Sequence, residues 1–339
     1  MSITAYLRDI GRGKDGARSL DAAQAEDLMR QVFDGRVSDL QLGAFVIAMR
    51  IKGESAAELA GFVAAAQAHI APGVAAAVQR SARPVVWLPS YNGARKLPNL
   101  TPLLAGLLAR QGLPVIVHGL ADDPSRVTSH AVFEALGWPV LAAPGANAAA
   151  DAAFISGAWT ALRPVFITTD ALCPPLSRLL DVRRQTGLRN PGHTVAKLLA
   201  TIGSDRAARS LRVVNHTHPE YGVSLAQFLA GSKADALLLR GTEGEPVSDA
   251  RRTPRMDAFV AGQRIDALGV PAQGGVLVRV PSLPSAIDAA TTAAFITGTL
   301  VSDARGVPLP LLAQVRAITQ LAQRIGRLQE QDQEQEQAA

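Results

Sequence analysis

The sequence is poor in several groups that protein chemistry is commonly built from. It holds one cysteine, Cys173, which excludes an intramolecular disulfide and any zinc cluster built on cysteine. Phe, Trp and Tyr together make up 4% of the 339 residues, so stacking of bases on aromatic rings cannot be the main source of affinity for a nucleic acid. No breaker-free apolar run of about 18 residues occurs. The nearest, AGFVAAAQAHIAPGVAAAV, is interrupted by Gln67, His69, Pro72 and Gly73. The opening MSITAYLRDIGRGK brings charges before any apolar run of signal-peptide length. No targeting or membrane segment is read, and a reducing cytoplasm is the expected location. Zinc-finger, helix-turn-helix, RNP and GKS/T patterns are also missing, so no known motif reads bases or hydrolyses nucleotides.

Lysine is scarce too. Only Lys14, Lys52, Lys96, Lys197 and Lys233 are found, so arginine supplies most of the 34 cations, which exceed the acids by 5. Guanidinium suits bidentate phosphate recognition, although a chain rich in Ala, Gly, Pro and Arg is also what a GC-rich genome produces. Hydrophobic residues at 48% and charged residues at 19% describe a chain that folds, and the length fits about two domains.

The first 80 residues read as helices only. Asp21 with Gln24, Ser38 with Gln41 and Ser55 with Glu58 carry the spacing of capping boxes. From residue 84 the period changes: Val85 to Leu88 reads as a strand, Thr101 and Pro102 as N-cap and first residue of a helix, and Val115 to Val117 as a second strand. Short apolar runs at 165–168, 211–214, 236–239 and 276–280 alternate with helical stretches. The expected fold is α/β: a small all-helical N-terminal domain (1–80), then a large α/β domain (81–328) with a mostly parallel central sheet flanked by helices. The Gln-rich acidic end, 329–339, is expected to be disordered.

Charge is concentrated between residues 176 and 214. Arg178, Arg183, Arg184, Arg189, Lys197, Arg206, Arg209 and Arg212 stand there against Asp181 and Asp205. Within that stretch Asn190 and Pro191 are placed to start a helix whose free N–H groups would attract an anion, with His193 and Lys197 on one face. Arg95 and Lys96 follow the first strand, at the carboxyl edge where open α/β sheets bind ligands, and Tyr91 beside them could stack on a base. A solvated helical face and an ordinary basic turn are the competing explanations. His216 and His218 lack a third ligand at convincing spacing, Glu243 and Glu245 could brace a loop, and Cys173 has no activating base nearby.

DGRVSDLQLGAFVIAMRIKGESAAELAGF, HGLADDPSRVTSHAVFEALG and LDVRRQTGLR resemble segments of the anthranilate phosphoribosyltransferase family. The resemblance spans roughly residues 1–325. It implies the nucleoside phosphorylase and phosphoribosyltransferase fold, a helical domain completed by part of 170–200, and a dimer formed through the helical domains. It matches Arg183 to the family's anthranilate-facing arginine. Other motifs depart from the family pattern. PSYNGARK, residues 89–96, stands where the family has a Gly-Thr-Gly-Gly-Asp loop, and only Gly93 remains of it. His118, Gly119 and Leu120 replace His-Gly-Asn, while Ser125 and Arg126 keep a Ser-Lys pair in kind. Glu243 and Gly244 stand at the metal-binding Asp-Glu pair, with Glu245 displaced by one, and Cys173 to Ser177 replace His-Pro-Ala-Met-Lys. PSYNGAR, NHTHPEYG and RGTEGEP resemble the YbiB branch of this fold, which implies binding of nucleic acid in place of phosphoribosyl transfer.

The leading expectation is therefore a cytoplasmic homodimer that binds DNA or RNA backbone without sequence preference and needs no cofactor. Its phosphate contacts would come from Arg95, Lys96, Arg126, Arg183, Arg184, Arg189, His193 and Lys197 in a basic cleft. Tyr91, Asn92, Gly93, His118, Ser125 and Glu243 would line a residual ligand cleft, with no catalytic residue and no metal ligand. Two alternatives stay open: a Mg-dependent phosphoribosyltransferase with an unknown acceptor, and a scaffold that holds a protein partner through the basic cleft.

Overall fold

The computed structural model describes residues 2–143, 145, 147–201, 209–275, 282–302 and 306–337. The chain opens with α1 (Ile3–Ile10), α2 (Gly13–Gly16), α3 (Ala22–Phe33), α4 (Asp39–Lys52), α5 (Ala56–Gln67) and α6 (Pro72–Gln79). There follow β1 (Val85–Pro89), α7 (Thr101–Arg110), β2 (Val115–Gly119), α8 (Ser129–Ala135), β3 (Val140–Leu141), α9 (Ala148–Thr160), β4 (Val165–Thr168) and α10 (Thr169–Leu172). Next come α11 (Pro174–Thr186), α12 (Pro191–Leu198), β5 (Ser210–His216), α13 (Pro219–Gly231) and β6 (Asp235–Arg240). β7 (Met256–Val260), β8 (Gln263–Arg264), α14 (Ala289–Val301) and α15 (Leu309–Gln337) complete the described chain. Among the described residues no single helix is long and apolar enough to cross a membrane.

Two compact units form, Met1–Ile70 with Cys173–Leu199, and Ala71–Leu172 with Ala200–Ala339. In the first, all three capping boxes are made; at the start of α3, Gln24 N donates to Asp21 Oδ1 at 2.8 Å and Asp21 N donates back to Gln24 Oε1 at 3.1 Å. These caps fix where the helices start, and Leu28, Met29, Phe45 and Phe62 fill the core between them. α6, which the sequence places with the helical domain, belongs to the second unit and packs on α9. Gly73 allows that approach: a Cβ there would lie 2.5 Å from the Asp151 Cβ.

The second unit is built on an eight-stranded sheet of order β3-β4-β2-β1-β5-β6-β7-β8, parallel from β3 to β6 and antiparallel at β7 and β8. β1 to β2 runs one way across the sheet and β5 to β6 the other. The topological switch point, where open α/β sheets leave a ligand crevice, therefore lies at the carboxyl end of β1. Val86, Leu88, Val115, Val117, Leu211 and Leu237 share one core cluster with the buried side of α7 and α15. Strands covered on both faces read as unbroken apolar runs, which is why they were visible in the sequence. β3, with two residues, and β7, with Asp257 in its middle, were not. The run at 276–280 lies outside the described residues.

Two further expectations are corrected. Leu100, and not Thr101, is the N-cap of α7, because the Thr101 hydroxyl donates to Glu245 at 3.0 Å and Asn99 Oδ1 takes the Thr101 N–H. The acidic end, expected to be disordered from residue 329, continues α15 as far as Gln337, and residues 338 and 339 lie outside the described residues. Glu and Gln are good helix formers, so losing the apolar face removes packing without removing helicity.

Candidate functional site

The loop from Ser90 to Asn99 leaves the carboxyl end of β1, at the switch point of the sheet. Gly93 has φ +70°, a conformation that residues with a Cβ rarely adopt, and its neighbour Ala94 is pinned to Val127 by two backbone hydrogen bonds of 2.9 and 2.8 Å. The loop aims its amides inward, as a phosphate cradle would. Those amides are already taken. The Glu245 carboxylate accepts from Gly93 N at 2.7 Å and Asn92 N at 3.2 Å, and from the hydroxyls of Ser90 and Thr101. Glu243 accepts from the amides of Arg95 and Lys96, each at 3.0 Å, and from Leu97 N at 3.2 Å.

The two carboxylates differ in environment. Glu245 is buried, and burial raises its pKa against the opposing pull of the Ser90, Gly93, Thr101 and Asn92 donors. Burial also pushes Glu243 upward, but the amides of Lys96, Arg95 and Leu97 and the charge of Arg126 outweigh it, so its pKa lies below the usual carboxylate range. Glu243 sits at φ +54°, unfavourable for a side chain of its size. The strain is held by Asn92 Nδ2 donating to the Glu243 carbonyl and Asn215 Nδ2 donating to the Gly244 carbonyl at 2.8 Å. Both glutamates thus brace the loop. With their oxygens committed to amides and hydroxyls, they do not fit the role of holding a magnesium diphosphate.

Other residues of this region also have settled roles. Arg126 Nη1 donates to the Gly93 carbonyl at 3.1 Å, and Ser125 bonds to Asp123 Oδ1 at 2.9 Å. Tyr91 is 3% exposed and so cannot stack on a base. His118 is buried, and burial lowers its pKa to about 4, leaving it neutral. Arg95 and Lys96 are at the surface, and neither side chain has a hydrogen-bond or ion-pair partner among the described residues.

In the first unit the capping of α12 is as expected and its use as an anion site is not. Asn190 Oδ1 accepts from Gly192 N at 2.9 Å, and His193 Nδ1 accepts from Asn190 N at 3.2 Å. Asn190, Pro191, Gly192 and His193 are all buried. Burial, helped by the charges of Arg189, Arg183 and Lys197, drives the His193 pKa down to about 3, so it carries no charge to a phosphate. Arg183 and Lys197 are half-buried with no hydrogen-bond or ion-pair partner among the described residues, Arg189 is half-buried, and Arg184 is exposed and lies 3.3 Å from Asp181.

The remaining described cations of the basic stretch serve structure. Arg178 donates to the Phe33 carbonyl at 3.1 Å, Arg209 grips Asp235 with two bonds of 2.7 Å, and Arg212 is buried within β5. Arg206 lies outside the described residues. His216 Nδ1 lies 3.2 Å from the His218 carbonyl. Cys173 is buried beside the Ala66 carbonyl, and burial raises its pKa to about 11.

The fold and this switch-point loop define a class, the phosphoribosyltransferase-like α/β proteins with a helical domain. Residues 4–70 match the helical bundle domain of the glycosyl transferase family. The chain is 40% identical to YbiB of Escherichia coli K12 over 298 residues, 87% of either chain, and 29% identical to anthranilate phosphoribosyltransferase of Methanopyrus kandleri over 69% of this chain and 62% of that one. Among solved structures, anthranilate phosphoribosyltransferase of Thermus thermophilus superimposes with a TM-score of 0.63 at 18% identity, covering 97% of this chain and 99% of that one. The Saccharomyces cerevisiae enzyme in complex with PRPP and Mg gives 0.63 at 11% identity, covering 96% and 94%. This chain belongs to the anthranilate phosphoribosyltransferase-like family, with YbiB as a relative along most of its length.

Proposed function

We propose that this protein binds the phosphate backbone of nucleic acids without reading sequence and does not transfer a phosphoribosyl group. The observation that carries the second half is the occupation of the β1 loop amides by Glu243 and Glu245, because a diphosphate would have to displace two carboxylates from five amides. The first half rests on unpaired guanidinium and ammonium groups, Arg95 and Lys96 on one unit and Arg183 and Lys197 on the other, with Arg184 and Arg189 beside the latter pair. A second reading, Mg-dependent phosphoribosyl transfer to an unknown acceptor, draws on the relatives' activity and on Ser125 and Arg126. Calorimetric titration separates the two. Phosphoribosyl diphosphate with magnesium is expected to give no binding heat, whereas short single- or double-stranded DNA binds. Micromolar, magnesium-dependent binding of the donor would overturn the proposal in favour of the transferase.

The working form would be a homodimer in a reducing cytoplasm. α4 leaves Leu40, Ile47 and Ile51 at 84%, 39% and 56% exposure, and their spacing places them on one helical face. Such a stripe on a folded unit marks a contact surface. Sedimentation should give about twice 35.5 kDa, and Leu40→Glu with Ile47→Glu should return the monomer. A native monomer at micromolar concentration would remove this part of the proposal.

A further inference from the structure

A crevice of about 560 Å³ opens on the second unit at the carboxyl ends of β5 and β6, beyond the braced loop. Its volume lies in the range of small-molecule sites. His216 and Arg240 are register partners at the ends of those two strands. β7 runs antiparallel to β6 and brings Asp257 opposite Leu238, and the segment before β7 supplies Arg251, Arg252 and Arg255. The outer face of the Glu243 turn and Leu97 close the other side.

The charges in this crevice do not cancel. Arg251 holds Asp249 through two bonds of 2.9 and 2.7 Å, and Arg255 Nε donates to Asp257 Oδ1 at 2.9 Å. Glu243 is committed to the amides of residues 95–97. Arg240 and Arg252 remain exposed without a hydrogen bond or close ion pair among the described residues, although the charge of Arg240 also acts on Asp249 and helps to lower its pKa. Arg240, Arg251, Arg252 and Arg255 outnumber Glu243, Asp249 and Asp257, so the lining keeps a net positive charge, and the planar fork of the two exposed guanidinium groups that hold no carboxylate at close range matches the oxygens of a phosphate. Leu97, Leu238, Pro254 and Ala272 give the remaining wall an apolar character suited to a ring or sugar.

We propose that this crevice binds a small phosphomonoester of nucleotide size, its phosphate on Arg240 and Arg252 and its body against the apolar wall. The site is independent of the reading above, since it uses none of the cations assigned there to nucleic-acid backbone.

Calorimetry on the full chain tests it with four probes: adenosine monophosphate, inorganic phosphate, adenosine and succinate. Adenosine monophosphate should bind most tightly, inorganic phosphate more weakly, and adenosine and succinate not measurably. Arg240→Ala with Arg252→Ala should weaken the monophosphate by about tenfold or more. Arg183→Ala with Lys197→Ala, on the other unit, should leave it unchanged. Both pocket arginines are exposed, so the variant is expected to fold. Should it fail to fold, Arg240→Lys with Arg252→Lys keeps the charge but loses the fork, and should still show weakened binding. No binding of the monophosphate at millimolar concentration overturns the proposal. So does affinity indifferent to either pair of pocket substitutions, or succinate binding as tightly as phosphate. Loss of DNA binding in the Arg183 and Lys197 variant with the monophosphate retained would show two sites.

Discussion

Replacing Glu245 with alanine should destabilise the fold by about 3–5 kcal/mol, because it strips a buried, multiply bonded acceptor from two amides and two hydroxyls. The affected groups, Gly93 N, Asn92 N, Ser90 Oγ and Thr101 Oγ1, come from the loop after β1 and the first turn of α7. The damage should therefore spread beyond residue 245 itself. Ser90 also hydrogen bonds to Ser129 at 2.6 Å, and Asn99 Nδ2 donates to Ser129 Oγ at 3.1 Å, so α8 is tied to the same hub. Glu245→Gln distinguishes packing from hydrogen bonding. It keeps the volume but presents an NH₂ to donors, so it should lose a large part of what alanine loses. Glu243→Ala removes a partner from amides at the exposed edge of the loop, where water can replace it, and should cost about 1 kcal/mol. Denaturant unfolding of the three variants gives the comparison. A loss below about 1 kcal/mol for Glu245→Ala would mean that the hub is not what holds the loop.

The sequence made this hub only partly legible. RGTEGEP offered two glutamates near the position of a metal pair, and bracing of a loop was one of the readings open for them. Their partners were invisible, because the loop at 90–97 and the turn at 242–247 are about 150 residues apart and meet only through the placement of β1, β5 and β6. Thr101 shows the same limit: its position before Pro102 is that of an N-cap, and only the proximity of Glu245 redirects its hydroxyl. The helical starts were readable because a capping box is closed within four residues, as at Asp21, Ser38 and Ser55. Net charge was the least transferable signal. A count over residues 176–214 merges surface cations with Arg212 inside β5 and Arg209 clamped on Asp235, and places His193 on a binding face when it lies beneath a cap. No local pattern in the sequence marks Arg240 and Arg252; the register of β5 with β6 and the return of β7 assemble that crevice.

On the reading proposed above, binding of DNA should be strongly dependent on salt, through the exposed and half-buried cations and not the buried ones. A protein that neutralises phosphates releases counterions, so log affinity falls with log salt by about 0.9 per phosphate on duplex and about 0.7 on single strands. Six to ten such contacts would cost about 10³–10⁵ in affinity between about 50 and 200 mM salt. Arg183→Ala with Lys197→Ala should flatten the duplex slope by about 1.8 per protomer engaged, and should weaken every sequence alike, since phosphate contacts carry no base information. Arg95→Glu with Lys96→Glu is the matching change on the other unit and should act in the same direction. His193→Ala should leave the slope unchanged, since the ring is uncharged and buried, and should lower stability instead by opening the cap on α12. Arg212→Ala should likewise act on folding and not on the slope. If the slope survives both pairs of surface substitutions, these cations form a solvated face, and nucleic-acid binding must be assigned to another surface or abandoned.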